Sequence, residues 1–135
     1  MNFSDNYKHS DITQLIINAY YNVYNNLGCA FLEKVYENSM LIELKKLGLY
    51  CERQKPIEVY YDEQKVGQYF ADIIVNDSVI IEIKAAEGLI EEHECQLINY
   101  LKATEIEVGI LLNFGKETQF KRKVFSNTNK NLIRS

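Results

Sequence analysis

Residues 69–85 read Tyr69-Phe70-Ala71-Asp72-Ile73-Ile74-Val75-Asn76-Asp77-Ser78-Val79-Ile80-Ile81-Glu82-Ile83-Lys84-Ala85. β-Branched and aromatic residues fill both halves, and Asn76-Asp77 between them suits a tight hairpin turn. Strand alternation predicts Phe70, Asp72 and Ile74 on one face of the first strand, and Ile80, Glu82 and Lys84 on one face of the second. As hairpin neighbours the strands bring Asp72, Glu82 and Lys84 together. Each charge sits among apolar residues, where burial is costly unless the group is paired or binds a metal.

Two carboxylates and a strand carbonyl, that of Ile83, are hard oxygen ligands suited to Mg²⁺ or Mn²⁺. Such an ion neutralises charge developing on a phosphate and lowers the pKa of a bound water. Lys84 then orients or deprotonates the attacking water, or stabilises charge on the phosphate. The alternative is a structural ion pair between Lys84 and either acid at a sheet edge. An ExK tripeptide alone carries little weight. Inside an apolar strand, with a matched acidic strand before it, it points to metal-assisted phosphodiester hydrolysis.

Outward from this hairpin, Ile57-Glu58-Val59-Tyr60-Tyr61 is strand-like, with Pro56 at its start and a polar turn over 62–65. A helix is predicted over 11–27, where Ile12, Leu15, Ile16, Ala19, Val23 and Leu27 share a face. Asp11 and Gln14 resemble a capping box there, and Gly28 is a stop. A second helix spans 31–47, with Leu32, Val35, Leu41, Ile42 and Leu44 apolar. On the other side, 90–103 is helical and Val108-Gly109-Ile110-Leu111-Leu112-Asn113-Phe114 is a central or parallel strand. The order α-α-β-β-β-α-β predicts an α/β sandwich with a mixed sheet.

Two helix faces bear on the same chemistry. Glu33, Tyr36, Glu37 and Met40 share one face, so an acid there either reaches over the sheet as an extra metal ligand or stays solvated. His93, Gln96, Leu97 and Tyr100 share another. That Gln-x-x-x-Tyr pair contacts a phosphate, positions Lys84, or simply packs helix on sheet. With two histidines in the chain, a His-based zinc site finds no support. Nor is there a Gly-rich phosphate loop or a G-x-S-x-G elbow. A glycosidase-like acid pair would leave Lys84 unexplained, in a chain with no tryptophan.

At 135 residues, 47% apolar and 25% charged, the chain has the profile of one soluble globular domain. Residues 1–125 are read as that domain and 126–135 as a polar tail that is flexible or docks on a partner. No apolar run is long enough to cross a bilayer, and the polar start lacks a signal-peptide pattern. Cys29, Cys51 and Cys95, odd in number and widely spaced, read as reduced, partly buried residues of a cytoplasmic protein. Net charge is −4, but residues 116–135 carry six basic groups against Glu117. Lys121, Arg122 and Lys123 in that end either contact nucleic-acid phosphates or form a solvated face.

Several stretches together resemble a known family: 27–38 (LGCAFLEKVYEN), Gln54-Lys55-Pro56-Ile57, Phe70-Ala71-Asp72, Ile81-Glu82-Ile83-Lys84-Ala85, 93–102 (HECQLINYLK), 108–114 and Lys121-Arg122. The chain is similar, from about Ile12 to Val124, to the small bacterial and archaeal GxxExxY proteins of the PD-(D/E)xK nuclease superfamily. The resemblance implies a restriction-endonuclease-like αβββαβ core with an extra N-terminal helix. It makes Glu33 the helix acid, Asp72 and Glu82 metal ligands, and Lys84 the catalytic lysine. Tyr36, His93, Gln96 and Tyr100 would support them. The family glycine falls on Ala30: a positive φ there would strain the helix start, whereas a need for small size alone would not. The implied function is Mg²⁺- or Mn²⁺-dependent cleavage of DNA or RNA. The alternative is a non-catalytic module of the same fold that binds nucleic acid or a protein partner. A homodimer stays open.

Overall fold

A computed structural model describes residues 8–130. The start of the chain, and the last five residues of the predicted tail, lie outside the described residues. Helices α1 (Ser10–Leu27) and α2 (Glu33–Lys46) precede strands β1 (Cys51–Tyr61), β2 (Gln64–Val75) and β3 (Val79–Lys84). Helix α3 (Glu91–Lys102), β4 (Val108–Phe114), β5 (Thr118–Val124) and a 3₁₀ turn (Asn127–Asn129) follow. The five strands form one sheet in the order β1-β2-β3-β4-β5. Only β3 and β4 run parallel, because α3 carries the chain back across the sheet between them.

The expected mixed α/β sandwich is therefore present, with one strand more than expected. β5, Thr118-Gln119-Phe120-Lys121-Arg122-Lys123-Val124, pairs antiparallel with β4. Its basic residues mask its alternation. All of β4 is buried, as its apolar run predicts. Helices α1 and α2 cover one face, where Ile16, Tyr20 and Met40 pack with Ile73, Ile81 and Ile110. Helix α3 covers the other, with Leu97 and Leu101 against Ile80 and Leu111.

Local readings need four corrections. The capping box at α1 does not form: the helix follows His9 at φ 54°, and the Gln14 amide donates to Asn18 instead. Helix α2 buries Tyr36, Glu37, Met40 and Leu44, while the expected Leu32, Val35 and Ile42 are exposed. The cause is Tyr36, which stacks on Phe114 at 4.1 Å and donates its hydroxyl proton to the Gly28 carbonyl (2.8 Å). Strand β1 starts at Cys51, so Pro56 lies within it; this is an edge strand, where a missing N–H breaks no ladder. Cys29 and Cys95 are exposed rather than partly buried.

Residues 126–130 pack on the chain itself. The Asn127 N–H donates to Glu107 Oε2 (2.7 Å), and Lys130 Nζ donates to the carbonyls of Thr104 and Ile106.

Ala30 has φ 83°, the conformation in which a β-carbon is strained. Ala30→Gly is expected to stabilise the protein by about 0.5–1 kcal/mol, the relief of that strain less the added freedom of the unfolded chain. Thermal melts of the two proteins check this; a lower midpoint in the variant would contradict it.

Candidate active site

The site begins where a ladder ends. β2 and β3 pair only at Ile73↔Ile81, Ile74↔Ile80 and Val75↔Val79. Beyond Ile73 the acids replace the ladder: Glu82 Oε2 accepts the Asp72 N–H at 2.9 Å, and Asp72 Oδ2 accepts the Ile83 N–H at 2.8 Å. This reciprocal clasp fixes both carboxylates to the backbone of the other's strand. It leaves Asp72 Oδ1 and Glu82 Oε1 without a backbone donor.

The predicted face of Phe70, Asp72 and Ile74 does not form. Ala71 and Ile74 both pack on the α3 side, while Phe70 is exposed, so alternation breaks at Asp72. Across from the break stands Gln54 at φ 50°, between the pairs Arg53↔Ile73 and Lys55↔Ala71. Its side-chain amide donates to Glu37 Oε1 (2.7 Å) and more weakly to Asp72 Oδ1 (3.4 Å).

Charge is undercompensated here. Glu82 is only 3% exposed. Burial, reinforced by the Asp72 charge, pushes its carboxyl up to about 8. Burial also raises Asp72, with Glu37 adding to it against the Ile83 hydrogen bond and Lys84. The Tyr100 hydroxyl is pushed up to about 12, first by burial and then by the charges of Glu82 and Asp72. Lys84 Nζ donates to Gln96 Oε1 at 3.1 Å, so α3 aims the ammonium.

Asp72, Glu82, Lys84, Gln96 and Tyr100 are thus brought together. Glu33 stands exposed in the first turn of α2, close enough for its charge to raise Glu82. The buried acid of that helix is Glu37, paired with Lys34 (2.9 Å) and Arg53 (3.5 Å). Tyr36 is spent on the loop before α2, where its hydroxyl also accepts the Phe31 N–H. His93 Nδ1 accepts the Ile90 N–H and caps α3. The three basic residues of β5 do not converge. Lys123 pairs with Glu94 on the α3 side, and Arg122 donates to the Lys8 carbonyl on the other.

Two residues were missed. Gln54 opens one of the stretches that carry the resemblance, but its left-handed backbone and its reach to Glu37 and Asp72 are invisible in a polar extended stretch. Asn113 did leave a signal: it is the single polar residue of β4, in register with Lys84. Its side chain clamps Ala86, accepting the N–H and donating to the carbonyl, both at 3.0 Å.

Among the described residues no group of three His, Cys, Asp or Glu side chains is arranged to hold a metal. The residues nonetheless fit a hard divalent ion that keeps several waters, which needs only one or two carboxylates. Asp72 Oδ1, Glu82 Oε1 and the Ile83 carbonyl are the donors available for it, and positive charge there relieves the pressure on Glu82.

Gln54→Gly is expected to change stability by less than about 1–2 kcal/mol, since glycine's ease in the left-handed backbone offsets the lost hydrogen bond to the buried Glu37. It removes the amide that holds Glu37 and Asp72, so turnover should fall by roughly tenfold. Paired melting and rate measurements separate the two effects; unchanged turnover would make Gln54 a bystander.

A sequence profile of the PD-(D/E)XK nuclease superfamily matches residues 10–124. The crystal structure of SSO0001 is similar in fold: TM-score 0.56 at 21% identity, covering 90% of this chain. The chain spans 61% of that protein's length. No curated protein matches. Among the described residues no helix is long and apolar enough to cross a membrane.

Proposed function

The chain belongs to the PD-(D/E)XK nuclease superfamily, and from that premise we propose that it is a divalent-metal-dependent nuclease hydrolysing phosphodiester bonds in DNA or RNA. The observation that carries this reading is the Asp72–Glu82 clasp with the Lys84 ammonium held beside it by Gln96. Mg²⁺ or Mn²⁺, when bound, would polarise the phosphate and acidify a water. Asp72, Glu82 and the Ile83 carbonyl would hold the ion, with Glu33 or Glu37 of α2 as the additional acid. Lys84, anchored at Gln96, would orient the attacking water or meet charge on the phosphate, with Gln96 fixing the position of the amine. Tyr100 would stay a neutral hydroxyl beside the acids. Lys121 and Lys123, both near Glu94 of α3, would meet the nucleic-acid backbone, with Lys123 first leaving Glu94. The motif around Ala30, Glu33 and Tyr36 supports a place in the GxxExxY group.

A second reading, a non-catalytic module binding nucleic acid or a protein partner, is favoured by the net charge of −4, which suits a protein that acts through a partner better than one that grips nucleic acid alone. Calorimetric titration of Mn²⁺ and Mg²⁺ into wild type and Asp72→Ala, with cleavage assays on mixed nucleic acids, tests both. Binding and cleavage that vanish together in the variant support the enzyme. Nucleic-acid binding without metal, undiminished in Asp72→Ala, with no cleavage by wild type, supports the module.

A further inference from the structure

We propose that the groove beside α3 seats an unstacked nucleobase of the strand being cut, making the substrate single-stranded or frayed nucleic acid. The proposal rests on the nuclease reading and specifies its substrate class. The groove measures about 730 Å³ and is lined by Tyr69, Gln96, Asn99, Tyr100, Lys102 and Phe125, among others. That volume lies in the range of pockets that bury small organic ligands.

Its position ties it to the chemistry. Gln96 and Tyr100 line it, and these are the side chains that hold Lys84 and feel the charges of Asp72 and Glu82. Along α3 the lining runs from Glu92 to Ala103, about 16 Å along the axis at 1.5 Å per residue, with Gln96 and Tyr100 between. A strand whose phosphate sits at the carboxylates therefore has this space beside its flanking nucleotide.

The lining suits a base. A nucleobase has two apolar faces and an edge of mixed donors and acceptors. Tyr69 is half exposed, and its ring stands 5.7 Å from that of Tyr100 at 45°. Phe125, with the Lys102 ammonium 5.6 Å from its ring centre, is another aromatic wall. The Asn99 amide offers both a donor and an acceptor, and the Gln96 NH₂ stays available while its oxygen holds Lys84. Lys102, exposed, puts positive charge on the lining, against Glu92 near the start of α3. Stacking of this kind tolerates any base. A base within a duplex reaches the groove only by unpairing, which costs a few kcal/mol, so unpaired strands are preferred.

The test compares short single-stranded DNA and RNA oligonucleotides, with a 2-aminopurine reporter, against the matching duplex. Binding is read with Ca²⁺ in place of Mg²⁺, and cleavage with Mg²⁺. Wild type should prefer the single strands, and Tyr69→Ala should weaken that binding by roughly 5- to 150-fold, the range for one lost base–aromatic stack. Tyr69→Phe should restore it. Abasic residues in the oligonucleotide should produce the same loss with wild-type protein, independently of whether any variant folds. Whichever of DNA and RNA shows this loss is the source. Equal affinity of wild type for duplex and single strand, or no loss on removing Tyr69 or the base, would overturn the subsite while leaving cleavage intact. A wild type that neither binds nor cuts any nucleic acid would overturn the nuclease reading itself, and the subsite with it.

Discussion

Glu82→Gln is expected to reduce metal-dependent cleavage by more than about 100-fold, because loss of a partner behind a ligand already costs 10–100-fold and Glu82 is proposed as a ligand itself. The same substitution is expected to stabilise the metal-free protein at alkaline pH. Glutamine keeps an oxygen for the Asp72 N–H and removes the buried charge. The carboxyl of Glu82, ordinarily near 4.5, is pushed up to about 8 in the fold by burial and by Asp72. The folded state therefore binds this proton more tightly than the unfolded chain. Its contribution to stability is full below about 4.5, declines as the unfolded chain releases the proton, and is gone once pH has risen through about 8. At about 1.4 kcal/mol for each tenfold gain in proton affinity, that contribution amounts to a few kcal/mol. In EDTA, melting temperatures of wild type should thus fall between pH 5 and 8 relative to those of the variant. Saturating Mg²⁺ should return stability to wild type only, by mass action on the folded state. Parallel pH curves for the two proteins would refute the buried, proton-hungry carboxyl. The expected trade, more stability for no activity, is that of a site whose charge is strained until an ion arrives.

What could be read in advance follows from how many reasons a residue has for its place. Asp72, Glu82 and Lys84 were legible because a charge in a β-branched strand has few reasons to be there. The clasp between Asp72 and the Ile83 N–H was not legible, since it exists only because the β2–β3 ladder stops at Ile73. The expected face of Phe70 and Asp72 failed beside it, where alternation breaks at Asp72 opposite the left-handed Gln54, a backbone feature that no side-chain pattern reports. The resemblance makes Glu33 the helix acid, whereas the helix face alone leaves Glu33 and Glu37, one turn apart, open. Glu37 is the buried one of the two, because α2 begins at Glu33 and leaves that side chain in solvent. Strand β5 was hidden by its lysines, whose long stems let a charged residue occupy a half-buried strand. The apolar stripe of α2 misled because the stacking of Tyr36 on Phe114, a contact distant in sequence, sets which face turns inward.

Asn113→Leu should have the largest effect on stability of any substitution near the site, and it should reach the chemistry as well. Asn113 is 1% exposed, and both ends of its amide hold Ala86, two residues past Lys84. Leucine fills similar space but leaves the Ala86 N–H and carbonyl without their partner. At about 1–3 kcal/mol for each group stranded in a partly buried place, the loss should be about 2–4 kcal/mol. For a chain of this length that lowers the melting temperature by roughly 10 °C. Gly115 stands against the same carbonyl: a β-carbon there would lie 2.5 Å from the Ala86 oxygen and 3.0 Å from Asn113 Nδ2. Gly115→Ala must therefore push the clamp apart and should resemble Asn113→Leu in direction. Asn113→Asp keeps the acceptor for the Ala86 N–H and loses the donor, so its cost should be intermediate. Below their melting points all three should lose kcat more than substrate affinity, because the loop they release begins where Lys84 is held against Gln96. Full stability in Asn113→Leu would show that the clamp is idle. Reduced stability with wild-type kcat would show that Lys84 is positioned by Gln96 and the β3–β4 ladder alone.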